Sequence, residues 1–536
     1  MLGVLVLGSV WLLLSSRDLW FYSDIWPSLG ASIGSLEDLN RSHGGHWQLT
    51  NVVTVRLLHT AFGMEFWPWF LLPRVVLYGG FALAWWRIAR WRGTAPVQAF
   101  AFFLVVLFLA TSGWIVSADY SGAVIGHLCA LGAAVIMQCS RDGRSYPVIM
   151  FGLLTLALMS TASSTALWLA VAVVVALSGS WRKHIAPLAG SLAVYLLWYW
   201  QYGRDTPDQF RPKIQAVSSL VDLPGDAFVM LRTAMENLLG TAIALPESAR
   251  MFPLSEWVGA LGLIVLVAAF AYAYRRGALA HFEAVLFLTG ALLIVVTVTV
   301  RADAGFSVTA ASRTHLVTVY LVLPVLAALV RVVPRRFAAL SVACLLILAT
   351  VNAIRLEDNI DVREAVRTIA RSRIETAAAL VAAGEPALPW TAVSPQAHVQ
   401  LLQDLVDDGW QPQVSSDVDL RSDIGARLRM AVPLAEPPPQ GVLRSPDSRD
   451  GCVTVQPGQQ LDAVLAQSGF TRLVAQPGDT FTVRWLEPRG RYERAGAVPA
   501  DGTATLAFAV PDADTRIELT GSWASPAELC GFAEVR

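Results

Sequence analysis

The sequence predicts a polytopic α-helical membrane protein ending in a polar extracytoplasmic α+β region with a small β-sandwich at its C-terminus. Three observations predict it. Of the 536 residues, 55% are hydrophobic and only 15% charged, which is too apolar for a soluble chain of this length. The apolar residues come in blocks of about 20, the length that crosses a bilayer as a helix. After Arg355 these blocks stop, and short alternating runs bounded by Gly, Pro and Asp replace them.

The 20-residue rule gives about eleven spans, near 2–16, 67–86, 98–117, 122–139, 147–161, 163–180, 185–201, 256–273, 281–300, 314–330 and 337–354. Basic residues fall on alternate connections: Arg87, Arg90 and Arg92; Arg141 and Arg144; Arg182 and Lys183; Arg275 and Arg276; Arg331, Arg335 and Arg336. By the positive-inside rule these five loops are cytoplasmic. The N-terminus is then cytoplasmic, while the 17–66 loop and everything after Arg355 lie outside. That alternation requires the apolar run after Pro147 to break at Ser160-Thr161-Ala162-Ser163-Ser164-Thr165. It also makes 227–245, with Arg232 and Glu236 four residues apart, an interfacial helix on the outer face rather than a further span. The first span is followed by Ser-Ser-Arg-Asp-Leu-Trp, which has no small-x-small cleavage site, so a retained anchor is expected in the plasma membrane. Trp20, Trp26, Trp67 and Trp69 fit an outer aromatic belt.

The predicted organisation is a membrane domain over 1–355, an extracytoplasmic helical region over 356–435 and a β-rich domain over 440–536. Val362, Val366 and Ile369 recur at helical spacing, with Arg and Glu between them. Beyond Glu436-Pro437-Pro438-Pro439, strands are expected at 452–455, 480–485, 503–510 and 515–520. Trp485, Tyr492 and Trp523 are core candidates there, with a sugar-stacking platform as the alternative. Cys452 and Cys530 are the two cysteines outside the apolar segments. A disulfide between them would close a loop of roughly 80 residues and constrain the unfolded domain by about 4 kcal/mol.

Chemistry concentrates in the first outer loop, where Asp24, Glu37, Asp38, Arg41, His43 and His46 lie among tryptophans at a membrane edge. Three readings stay open from the residues alone. His43 and His46 with an acid could ligate zinc, although the glycines between them disfavour a rigid spacing. The histidines could instead cap helix ends. A carboxylate could also deprotonate a hydroxyl held at the membrane surface. A formal charge of -1 with no basic patch interleaved with aromatics leaves no case for a nucleic-acid partner.

Phe21, Asp24, Trp26, then His43, His46, Trp47, and Arg56 nine residues on, follow the order Phe-x-x-Asp-x-Trp … His-x-x-His-Trp … Arg. With a short first span before it, an Arg-bearing amphipathic helix over 51–63 and a Pro/Trp-rich entry to the second span, this arrangement resembles the GT-C membrane glycosyltransferases. Ala311-Ser312-Arg313, before the tenth span, adds a weaker likeness. The resemblance implies a GT-C-like fold and transfer of a sugar from a polyprenyl-phosphate carrier to an extracytoplasmic glycan or envelope acceptor. Asp24 is implied as the general base. Ile25 stands where the family carries a second Asp, so Glu37 or Asp38 is the candidate for that acid, and a divalent cation is left open as cofactor.

A lipid phosphate at the outer leaflet needs cations, and guanidinium groups bind phosphate in bidentate fashion. Arg56, Arg74, Arg211, Lys213, Arg301 and Arg313 fall near the predicted outer face. Arg74 lies inside an apolar span, where a charge is costly unless it snorkels or finds a partner. The alternatives to a transferase are a transporter or flippase of lipid-linked glycan, and a non-catalytic envelope scaffold. A flippase would need polar groups in mid-span, of which His127 is the clearest.

Overall fold

The computed structural model describes residues 1–17, 19–21, 25–34, 38–40, 47–109, 121–141, 143–161, 163–204, 218–239, 253–301, 316–385, 387, 392–394, 397–412, 420–421, 424–425, 428, 430–434, 452–465, 469–487, 490–498, 502–508, 515–530 and 534–535. It divides into two compact units, Met1–Phe21 with Pro27–Arg367, and Tyr22–Trp26 with Thr368–Arg536. The described part is largely helical up to residue 382 and strand-rich from 430 onward.

The helices are α1 (Leu2–Ser15), α2 (Ile25–Ile33), α3 (Leu49–Phe62), α4 (Trp67–Trp91), α5 (Pro96–Leu107), α6 (Ser121–Arg141), α7 (Pro147–Leu158) and α8 (Ser164–Leu177). They continue as α9 (Trp181–Trp198), α10 (Ser218–Leu238), α11 (Pro253–Arg275), α12 (His281–Arg301), α13 (Leu323–Val332), α14 (Ala338–Ala382) and α15 (Val399–Asp407). Proline opens α5 and α7, where its missing amide costs nothing. The expected break between α7 and α8 falls at the Ser/Thr cluster. Four described helical stretches are long and apolar enough to cross a membrane: Leu49–Trp91, Gly122–Arg141, Trp257–Arg275 and Arg335–Asp358. Six further apolar helices are 10–17 residues long. Each expected span contains described helix, though α5 ends at Leu107 and residues 110–117 and 314–315 lie outside the described residues; four described stretches meet the length and apolarity of a crossing, against the eleven expected.

Within the first unit, α6 is the central post, packed by α3, α4, α7, α8 and α12. Its apolar window is 72% buried, against 17% for those of α11 and α14. Glycine makes this closeness possible. A Cβ at Gly122 would come within 2.2 Å of the Ser160 carbonyl oxygen, and one at Gly126 within 2.7 Å of the Thr161 methyl. Trp85 meets Phe102 and Phe282 edge-on at 5.8 and 5.9 Å, which ties α4 to α5 and α12. The Tyr78 hydroxyl donates to the Val106 carbonyl in the last turn of α5. Between α12 and α13, Thr318–Val322 forms a π-helical turn.

At one end of this bundle Glu283 accepts two contacts of 3.0 Å from Arg92 and lies 3.6 Å from Arg331. Its second oxygen also accepts the Ala280 backbone N–H at 2.9 Å, capping the start of α12. Arg331 donates to the Ala278 carbonyl. Three of the five basic connections are thereby brought together, those after α4, before α12 and after α13.

The α10 helix covers the predicted interfacial segment in part, and its Arg232–Glu236 pair closes at 3.1 Å. It packs more deeply than an interfacial helix would, because Met230 and Ala234 join a core with Ile294, Val317 and Leu321. Asn352 of α14 donates to the Leu238 carbonyl at 2.5 Å and so caps its C-terminus. The boundary expected at 355/356 falls inside α14, which runs unbroken for 45 residues. Arg355, Glu357 and Asp358 end the apolar run but not the helix, since all three are compatible with helix. Gly384 at φ 79° stops it, with the Glu385 N–H reaching back to the Leu380 carbonyl at 3.0 Å.

The second unit contains β1 (Ala392–Ser394) and β2 (Ala397–His398), followed by β3 (Met430–Leu434), β4 (Cys452–Val455), β5 (Leu461–Leu465), β6 (Gly469–Val474) and β7 (Thr480–Glu487). The remaining strands are β8 (Gly490–Ala497), β9 (Thr503–Phe508), β10 (Thr515–Ser522), β11 (Ala527–Cys530) and β12 (Glu534–Val535). Two five-stranded antiparallel sheets result, ordered β12-β5-β10-β7-β8 and β3-β9-β6-β11-β4. From β4 onward the chain changes sheet at each connection except the β7–β8 hairpin, the strand exchange of a two-layer sandwich. Phe481, Val483 and Leu519 are buried in one sheet, and Val455, Leu473, Leu506 and Ala527 in the other. Trp523 is core as well, stacked on Phe481 and lying over Gly521. The register pairs Trp485 with Tyr492.

Candidate functional site

The polar end of α4 opposite the Glu283 cluster is built by aromatic residues that bury two guanidinium groups. Arg74 lies 18 residues before Arg92, the residue that caps the C-terminus of the same helix, about 27 Å along its axis and close to the thickness of a bilayer core. Its side chain is 0% exposed, so the snorkelling alternative gives way to burial. The Arg74 Cζ sits 3.8 Å from the Phe70 ring centroid, one turn back, and 6.0 Å from that of Trp67. Desolvated cation–π contacts of this kind are worth roughly 2 kcal/mol.

The second guanidinium belongs to Arg367 of α14, which is 3% exposed. It lies 5.6 Å from the same Trp67 ring and donates from Nη1 to the Trp20 carbonyl at 2.7 Å. Both cations therefore stand within about 12 Å of each other, on one indole. Phe21 closes the wall, 4.6 Å from Phe66 and 5.6 Å from Trp67 in ring-centroid distance. Removing two such ions from water costs several kcal/mol each, which the protein meets with ring faces and a backbone acceptor.

Sequence reading found Arg74 from its place inside an apolar run but missed Arg367. Nothing in spacing distinguishes Arg367 from the solvent-facing charges beside it; its burial depends on Trp20 and Trp67, some 300 positions away in the chain.

Of the other expected site residues, Trp47 is buried and stacked parallel on Trp198, with centroids 5.2 Å apart and planes 7° apart. Arg56 is half-buried on α3, and its Nη1 has no hydrogen-bond partner among the described residues. Asp38 begins a 3₁₀ turn, Asp38–Asn40, with its carboxylate close against Gly34. Asp24, Glu37, His43, His46, Arg211 and Arg313 lie outside the described residues, as do Arg41 and Lys213. Among the described residues no group of three or more His, Cys, Asp or Glu side chains gathers to hold a metal ion.

A second polar contact lies deep in the bundle. His127 Nδ1 and the Tyr320 hydroxyl are 2.8 Å apart, with Phe81 against the imidazole. Tyr320 belongs to the π-helical turn. No disulfide is present among the described side chains, and Cys129, Cys139 and Cys344 are free.

No protein-family model matches the chain, and no curated protein matches it. Among solved structures it is similar to ArnT from Cupriavidus metallidurans in the apo state, at 16% identity and a TM-score of 0.40. It is also similar to the same protein bound to undecaprenyl phosphate, at 15% identity and a TM-score of 0.38. Each match covers 80% of this chain and 92% of the other. No residue of this chain takes a role from either.

Proposed function

We propose that the protein is a membrane glycosyltransferase that moves a sugar from a polyprenyl-phosphate donor to a cell-envelope acceptor on the outer face of the plasma membrane. The observation that carries this is the pair of buried guanidiniums, Arg74 and Arg367, on Trp67 at one end of an apolar helical bundle. A lipid phosphate is the anion such a place suits. Its chain stays in the bilayer while its head meets fixed donors that match phosphate oxygens.

In the proposed reaction the acceptor hydroxyl oxygen attacks the anomeric carbon as its proton passes to the Asp24 carboxylate. The bond from that carbon to the phosphate oxygen breaks, and the lipid phosphate leaves with the electron pair. Arg74 and Arg367 stabilise the charge that grows on it, the kind of fixed electrostatic aid that lowers a barrier most. Asp38 or Glu37 would supply the second acid, and Arg56, Arg211 and Arg313 further donors to the donor head group. His43 and His46 would line the acceptor side. On this reading the N-terminus is cytoplasmic and the chain beyond Arg355 is outside, an orientation that the basic connections support.

Asp24→Asn keeps shape and removes the base. Sugar transfer by purified protein is expected to fall at least about 100-fold, within the range attributed to general-base catalysis, with unaltered binding of lipid phosphate. Undiminished turnover would remove Asp24 from the reaction. The flippase reading has the His127–Tyr320 pair as its support.

The outer location also supports a Cys452–Cys530 disulfide. The two residues are register partners on β4 and β11, where antiparallel Cα atoms stand about 4.5–5.5 Å apart, inside the range a disulfide spans. Intact-mass analysis of the unreduced protein is expected to show a loss of two hydrogens located to this pair. Alkylation of both thiols without reductant would refute the bridge.

A further inference from the structure

The first turn of α3 carries a set of buried polar atoms that the proposed reaction leaves unused. Trp47 and Gln48 are 7% and 6% exposed. Trp47 Nε1, Gln48 Oε1 and Thr50 Oγ1 are each buried and have no hydrogen-bond partner among the described residues. Gln48 is the N-cap of the 14-residue helix, yet its side chain makes no capping bond. Buried polar groups are almost always paired, and leaving one unpaired is costly, so three within four residues call for an explanation.

This turn is held rigidly on several sides. Asn51 Nδ2 donates to Ser28 Oγ at 2.9 Å, fastening α3 to α2. The Thr50 N–H points to the Met159 carbonyl at 3.5 Å, and Thr50 Oγ1 lies 3.4 Å from where a Gly122 side chain would begin. Trp47 is stacked on Trp198, whose own Nε1 donates to the Asn40 carbonyl at 2.7 Å. A preset turn of this kind loses little entropy on binding.

The chemistry of the leftover atoms selects a ligand class. An indole N–H only donates, an amide oxygen only accepts, and a threonine hydroxyl does both. Phosphate offers acceptors alone and would be repelled by the Gln48 oxygen. Adjacent hydroxyls of a neutral sugar offer both roles at each position, which matches the set.

We infer that the N-terminal turn of α3, through Trp47, Gln48 and Thr50, is a subsite for the hydroxyl groups of a neutral sugar. The assignment rests on the lipid-phosphate reading and deepens it: Arg74 and Arg367 take the phosphate, and this turn takes the sugar it carries.

The test uses the full-length protein in lipid nanodiscs, with Gln48→Leu and Thr50→Val. Binding is measured for a bare polyprenyl phosphate and for a panel of its neutral hexosyl and pentosyl esters. Thermal unfolding is measured without ligand. At least one ester is expected to bind wild-type protein more tightly than the bare lipid phosphate. Each variant should lose about 3- to 10-fold of that advantage, the effect of one hydrogen bond, while bare lipid phosphate binds within about 2-fold of wild type. Because the replaced groups are unpaired, ligand-free unfolding temperatures should hold or rise. A fall in unfolding temperature for either variant would show its polar group paired, by water or protein, in a structural role and overturn the subsite. So would esters that bind no better than the bare lipid phosphate. Failure of wild-type protein to bind the bare lipid phosphate would instead sink the lipid-phosphate reading, and the subsite with it.

Discussion

Replacing Arg74 by glutamine is expected to weaken polyprenyl-phosphate binding by about 10- to 100-fold, the cost of losing a charged hydrogen-bond donor. Arg367→Gln should act in the same direction, although its signal in the sequence is no stronger than that of its neighbours. Both guanidiniums lie on the faces of buried aromatic rings, so neither is screened by water, and each removes a full charge from the same box. The double variant should fall short of the product of the two single effects, because contacts sharing one ligand do not add. Arg74→Lys should restore the charge without the bidentate geometry and recover only part of the affinity. Titration of nanodisc-embedded protein with lipid phosphate measures all four. Wild-type affinity in Arg74→Gln would remove this cluster from ligand binding.

The largest stability effect is expected at the other end of α4. Glu283→Ala leaves Arg92 and Arg331 facing each other across a site where all three side chains are at most 16% exposed. It also removes the acceptor for the Ala280 N–H at the start of α12. Breaking one partner of such a buried network costs about 3–5 kcal/mol. Glu283→Gln keeps an acceptor for the amide and should cost less than Glu283→Ala. Equilibrium unfolding in mixed micelles checks the order, and a loss below about 1 kcal/mol for Glu283→Ala would show that the pair is screened like a surface bridge.

Local information made much of the helical unit legible. A 20-residue apolar block states its own conformation, since a backbone in lipid must satisfy its hydrogen bonds internally. The Ser/Thr cluster after α7 was legible as a break for the same reason, because it interrupts that block. About eleven spans were expected from apolar length; four described helical stretches meet the length and apolarity of a crossing, and shorter apolar helices such as α5 and α7 occupy other apolar blocks. Helix beyond Arg355 was legible from Val362, Val366 and Ile369, but its continuity with the apolar span was not, because a change from apolar to charged residues marks a change of solvent and not of conformation.

In the second unit, strands β4, β7, β9 and β10 announced themselves by alternation. β8, which reads Gly-Arg-Tyr-Glu-Arg-Ala-Gly-Ala, has no apolar period and takes its place from the hairpin with β7. Its conformation is set by its partner. The site divides the same way: Arg74 is visible because a charge in an apolar run is a local anomaly. Arg367 and the unpaired atoms of Gln48 and Thr50 become distinctive only when the tertiary structure buries them.

The central claim, sugar transfer at the Arg74–Arg367 site, is tested most directly in proteoliposomes holding the purified protein and a polyprenyl phosphate that carries a radiolabelled sugar. The account predicts that label moves from the lipid to an added envelope-glycan acceptor, that free polyprenyl phosphate accumulates in equal amount, and that Arg74→Gln and Asp24→Asn both sharply reduce the transfer. Label that crosses the bilayer still joined to its lipid, with no free polyprenyl phosphate formed, would contradict it and make the protein a flippase.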